Sequence, residues 1–224
     1  MFVDAPGNDD FTKLLLHFDA PNGSITLKDF SASNHTVTAF GNAQITTAQS
    51  KFGGSSIVFD GGADYFLLDG SADFLFGTGD FTIEFWTRLN ATGITQTIYD
   101  SRPPIFDGTN GPDIYVNTSN KLVWFINDPG TDAIISATSI SSSSFTHAAI
   151  AKASGSTRMF IDGVQEGGTY ADSQDYVNPP SRPVIGTDTS LTIFPFNGWI
   201  DELRVSKGIA RYTANFTPAP CSFG

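Results

Sequence analysis

The chain has 224 residues, 40% of them hydrophobic and 16% charged, and a formal net charge of -11. Such acidity excludes nucleic acid and anionic membrane as partners, because both need clustered Lys and Arg. Cys221 is the only cysteine, which excludes an internal disulfide.

Taken in order, Met1 to Phe11 is polar, with Pro6-Gly7 and Asp9-Asp10, and reads as an extended arm that docks on a neighbouring subunit. It has neither the basic nor the apolar region of a signal peptide. No apolar run is long enough to span a membrane. Leu14 to Asp19 is an apolar strand ending in an acid, and Lys28 to Asn34 is a polar loop. Short strands follow at Val37 to Phe40 and Ala43 to Ile45. Two more, Ser56 to Phe59 and Tyr65 to Leu68, flank Asp60-Gly61, a hairpin signal.

Phe81 to Leu89 is the clearest strand. Phe81, Ile83, Phe85 and Leu89 point to a core. Thr82, Glu84, Trp86 and Arg88 form the opposite face, solvated or lining a groove, with Glu84 and Arg88 as a modest surface pair. A loop rich in Gly, Asn and Asp runs from Arg102 to Pro112, a place where binding can sit. Ile114 to Val116 pairs with Leu122 to Ile126, and Phe145 to Lys152 with Arg158 to Asp162.

The last strand begins after Phe194-Pro195-Phe196, with Asn197-Gly198 read as a turn pair. In a regular strand Trp199, Asp201, Leu203 and Val205 share one face, and Ile200, Glu202 and Arg204 the other. Asp201 then stands in an apolar stripe. There it needs a cation, hydrogen bonds or a bulge that turns it outward. The tail from Ala210 to Pro220 lies over the end of the domain, pinned by Arg211 and Tyr212.

Many short strands, turn signals between them and no helical period give an all-β, two-sheet antiparallel sandwich. The expected layout is an arm at 1–12, one domain at 13–218 and a tail at 219–224.

Several pieces carry a resemblance. They are Leu14 to Asp19, Lys51-Phe52-Gly53-Gly54-Ser55-Ser56, Phe59-Asp60-Gly61, Asp80 to Trp86, Met159 to Gly163 and Asn197 to Arg204. In these the chain resembles a concanavalin A-like, laminin-G-like jelly roll. The stretch Lys207 to Pro218 is similar to laminin-G-like domains of tailed-phage structural proteins. That resemblance implies a virion surface protein, made in the host cytoplasm and displayed on the particle exterior. The first expectation is a head decoration or cement protein that meets the major capsid protein or other virion proteins through Met1, Phe2, Val3 and Phe11. It forms a homo-oligomer if the arm docks on a neighbouring copy. The alternative is a module of a tail appendage that binds a glycan or receptor on the host surface.

The resemblance also implies one structural Ca2+, for which Asp19, Asp29 and Asp201 match best. Catalysis is not expected. Retaining glycoside hydrolysis needs two carboxyls about 5 Å apart, and Glu84 and Glu202 each lack an acid two or four places away. His147, before an alanine-rich strand, reads as structural. A sugar site needs an exposed aromatic platform with polar groups beside it. Trp86, Tyr99, Tyr115 and Trp124 are the candidate rings, with Asp113 and Asn117 nearby. The competing reading, from the apolar run around Trp124, packs these aromatics between the sheets. Trp86, Tyr99, Asp113 and Tyr115 are the expected site.

Overall fold

Alternating apolar residues with β-branched and aromatic side chains set the strands, and the computed structural model describes residues 8–104, 109–127 and 130–223. Strands β1 (Thr12–Leu16), β3 (Gln44–Thr46), β4 (Ser56–Asp60), β6 (Phe81–Leu89), β11 (Thr146–Ala153), β12 (Ser156–Ile161), β13 (Val164–Ala171) and β15 (Asn197–Lys207) form one antiparallel sheet. Its order is β13-β12-β11-β6-β15-β4-β3, with β1 also paired to β15. Strands β2 (Val37–Phe40), β5 (Tyr65–Leu68), β7 (Gln96–Asp100), β8 (Asp113–Val116), β9 (Lys121–Ile126), β10 (Thr131–Ser139) and β14 (Val184–Ile185) form the other. Its order is β10-β9-β8-β7-β14-β5-β2. The expected all-β sandwich is present; one 3-10 turn at Ala72–Phe74 is the only helical element among the described residues.

The core lies between the sheets. Phe81, Ile83, Phe85 and Leu89 fill it from one side, and Ile114, Val116, Leu122, Trp124 and Ile126 from the other. Each buried side chain of this size contributes roughly 1.5–3 kcal/mol of transfer free energy.

Asp60-Gly61 is not a hairpin. β4 and β5 belong to different sheets, so this turn carries the chain across the sandwich, and Gly41-Asn42 carries it across in the same way from β2 to β3. The Asp64 carboxylate ties both corners by accepting from the amides of Asn42 (2.9 Å) and Asp60 (3.0 Å). Asn197-Gly198 is not a turn either. Both lie in β15, where Gly198 pairs with Phe59 on one side and Leu89 on the other. A Cβ there would overlap the Arg88 carbonyl oxygen, so the close approach of three strands requires glycine.

A bulge decides the facing of β15. Between Asp201 and Arg204 the register against β6 slips by one residue, and Glu202 takes a φ of 52°. Ile200, Leu203 and Val205 therefore enter the core, while Asp201 and Arg204 both face outward. The regular two-face assignment is corrected at this point. The bulge sits where β4 hands its edge of β15 over to β1.

The outward face of β6 is not solvated, because the C-terminal tail roofs it. Arg211 donates to Ser206 Oγ (2.7 Å), Asp9 Oδ1 (2.8 Å) and Thr12 Oγ1 (2.9 Å). Tyr212 and Phe216 stack 3.6 Å apart over Phe160 and His147. The tail thus covers a sheet face rather than the end of the domain. Glu84 is fully buried, and its partner is Arg204 (2.7 Å) rather than Arg88. Arg88 donates instead to Ser142 O (3.0 Å) and to Gln49.

Candidate functional site

On the second sheet, the outward side chains of β7, β8 and β9 enclose a cleft of about 330 Å3. That is the low end of the range for small-molecule sites. Thr97, Asp113, Tyr115 and Phe125 come from the strands, Arg102 from the loop after β7, and Asn117 from the turn after β8. Phe194, 47% exposed, comes from the loop before β15. Phe194 holds a φ of 54°, unusual for a bulky residue, and its carbonyl accepts the Thr97 amide at 2.8 Å. Strain of this kind concentrates at ligand clamps.

The floor is ionic. Arg102 forms a two-pronged pair with Asp100 (Nη2 to Oδ2 2.6 Å, Nε to Oδ1 3.0 Å) and reaches Asp113 at 3.1 Å. Its guanidinium lies over the Phe125 ring at 5.3 Å. Asp100 also accepts the Thr189 amide at 2.8 Å. Tyr115 donates its hydroxyl to Asp132 at 2.7 Å, which fixes the ring near Phe125. Asp113 is 3% exposed, and its Oδ1 has no hydrogen-bond partner. Burial, and then the charge of Asp100, push the Asp113 carboxyl well above the usual carboxylate range.

Of the four expected ligand-binding residues, Asp113 and Tyr115 meet in this cleft. Tyr99 does not: a bulge between Thr97 and Tyr99 turns it inward, where it is fully buried in the core. That bulge also sets Asp100 directly across from Asp113. Trp86 is 5% exposed, roofed by Phe52 and Phe223, with Lys51 Nζ 3.9 Å above its ring. Trp124 is a core residue. Arg102, Phe125 and Phe194 were not among the expected site residues. Phe125 was signalled by its outward phase beside Trp124, whereas Arg102 and Phe194 sit on loops, where no period applies.

The expected metal ligands separate. Asp29 is saturated by the amides of Leu15, Ser31 and His35 and by the Ser31 hydroxyl (2.8–3.0 Å), so it is a structural clasp. Asp19 and Asp201 flank one loop: a Cβ on Gly53 would overlap the Asp19 carboxylate, while Asp201 Oδ2 accepts the amides of Lys51 (2.7 Å) and Phe52 (3.1 Å). Asp201 Oδ1 is buried without a hydrogen-bond partner. No cluster of three or more His, Cys, Asp or Glu is arranged for a metal among the described residues. Asp29 has its oxygens taken up by protein donors, whereas Asp201 Oδ1, beside the loop from Lys51 to Gly53, has no such donor.

His147 is buried within a web of partners. Its Nε2 lies 3.3 Å from Glu84, and Trp86, Phe216 and Phe223 pack around its ring. Met1, Phe2 and Val3 lie outside the described residues. Phe11 is 43% exposed, and its carbonyl accepts the Lys207 amide.

The class follows from comparison. Residues 60–210 match the model of the concanavalin A-like lectin/glucanases superfamily, laminin-G type, and the chain belongs to that family. No curated protein matches. The fold is shared with the binding domain of Paraclostridial Mosquitocidal Protein 1 (17% identity, TM-score 0.67, covering 90% of this chain and 50% of that one). It is shared with domain 4 of AbnA, an extracellular arabinanase from Geobacillus stearothermophilus, in complex with arabinotriose (18%, 0.64, 89% and 93%). It is also shared with botulinum neurotoxin type C, whose cell entry is dependent upon interaction with two ganglioside molecules (18%, 0.64, 90% and 49%). The chain spans about half the length of the two toxin chains. These likenesses establish the fold, not the ligand.

Proposed function

We propose that this chain is a non-enzymatic carbohydrate- or receptor-binding module whose ligand sits in the cleft of Tyr115, Phe125 and Phe194. The observation that carries the reading is the buried, unpartnered oxygen of Asp113 in a cleft with aromatic walls. Aromatic rings take the C–H face of a sugar, and an acceptor left without a donor favours a ligand hydroxyl. Asp100 is held by Arg102 and Thr189, which leaves it a structural partner rather than a second catalytic carboxyl. Similar structures include a sugar-bound module and toxin binding domains, which supports this alternative over head decoration. Replacing Tyr115 by Ala is expected to weaken glycan binding about two- to tenfold in calorimetry, from a loss of roughly 0.5–1.5 kcal/mol of ring contact. Unchanged affinity would remove the cleft from the proposal.

Ca2+ is proposed at Asp19 and Asp201, where it would neutralise a buried carboxylate. Chelation is expected to lower the melting temperature of the wild type and not of Asp201→Asn. Equal melting curves for the wild type with and without chelator would exclude the ion.

A further inference from the structure

The charges around the cleft do not match its acidic and basic side chains one to one. Asp100, Asp132 and Asp188 all act on Asp113 there, opposed by Arg102, while a second guanidinium, Arg182, faces Asp100 and Asp188. Both guanidiniums are committed. Arg102 spends Nε and Nη2 on Asp100 and Nη1 on Asp113. Arg182 donates to the carbonyls of Arg102 (3.2 Å), Ser181 (2.7 Å) and Thr189 (2.8 Å). Neither presents the open two-pronged fork with which arginine takes a carboxylate. Even with Asp113 pushed toward its neutral form, Asp100, Asp132 and Asp188 outnumber the two guanidiniums and add a repulsive field in a half-enclosed site. What lines the cleft instead is Asp113, whose buried Oδ1 lacks a donor, together with Tyr115, Phe125 and Phe194.

We infer that the cleft selects neutral, hydroxyl-rich sugars and rejects sugars bearing a carboxylate, such as sialylated or uronate-substituted chains. The inference rests on the glycan-binding reading above and adds a charge rule to it. Specificity here comes from a repulsive element as much as from an attractive one.

The test is a calorimetric or array measurement on matched pairs: lactose with sialyllactose, and xylo-oligosaccharides with and without glucuronate. The full chain is used at low ionic strength. The expected result is binding of neutral members, with each acidic counterpart weaker by about tenfold or more. Equal or tighter binding of the acidic members overturns the charge rule and leaves the glycan-binding reading standing. Binding of no member overturns both. In a second arm, Asp132→Asn removes one rim charge and keeps an acceptor for the Tyr115 hydroxyl. The neutral-to-acidic gap is expected to narrow about threefold and to shrink as salt rises. A gap that responds to neither change overturns charge as its cause.

Discussion

Glu84 and Asp113 are both buried carboxylates on the outward side of a strand, one on each sheet, and their surroundings treat them in opposite ways. Burial alone would push Glu84 up. Arg204, His147 and the Tyr212 hydroxyl (2.8 Å) outweigh that and bring it to about 2. Asp113 shares its one guanidinium with Asp100, keeps an oxygen without a partner and is pushed up. The tail covers the first face with rings and hydrogen bonds, while the cleft leaves the second open. A buried carboxylate with every site filled holds a structure together, whereas one left short of donors is available to a ligand.

The largest effect is expected at the sealed face. Arg204→Met leaves Glu84 buried without its main counter-charge and should cost about 3–5 kcal/mol in urea unfolding. Adding Glu84→Leu to that variant should recover most of the loss, because a buried pair replaced by apolar groups is often neutral. A single variant within about 1 kcal/mol of wild type would mean that the tail does not exclude water there. Acid tests the same contrast. Glu84 is depressed in the folded state, so its contribution is fully present above the unfolded pKa near 4.5. It is lost as pH falls through about 2. The shift corresponds to about 3 kcal/mol. Glu84→Gln should therefore be less stable than wild type at pH 6, with the two converging by pH 2. A constant gap would place the Glu84 contribution in packing instead.

What strand periodicity could reveal, it revealed. The inward set Phe81, Ile83, Phe85 and Leu89 follows from local alternation, and the only sign of the core position of Trp124 was the apolar run around it. The two bulges were not legible, because one added residue leaves no mark in composition yet reverses every facing beyond it. Glu202 and Tyr99 are the residues where that reversal matters. Trp86 was misplaced for another reason: what covers it, Phe223 and Phe52, is distant in sequence. Asp113 and Tyr115 were legible as outward residues of one strand. Arg102 and Phe194 reach the same cleft from loops far apart in the chain, and only the folded sandwich brings them together.

A smaller effect sharpens the contrast from the tail side. Gly163 turns β12 into β13 with a φ of 79°, and its carbonyl accepts the Phe216 amide at 2.9 Å. A Cβ at this position would overlap the Phe216 carbonyl oxygen. Gly163→Ala therefore meets both an unfavourable backbone region and the tail itself, and should cost more than about 1 kcal/mol. The strain falls on the contact between Phe216 and the sheet, so hydrogen exchange at the Phe216 amide should accelerate before that of the β6 amides. Affinity for any ligand of the cleft should stay unchanged, since the cleft lies on the other sheet. If Gly163→Ala weakens that affinity as well, the two outer faces communicate through the core, and treating them as a structural face and a binding face would be wrong.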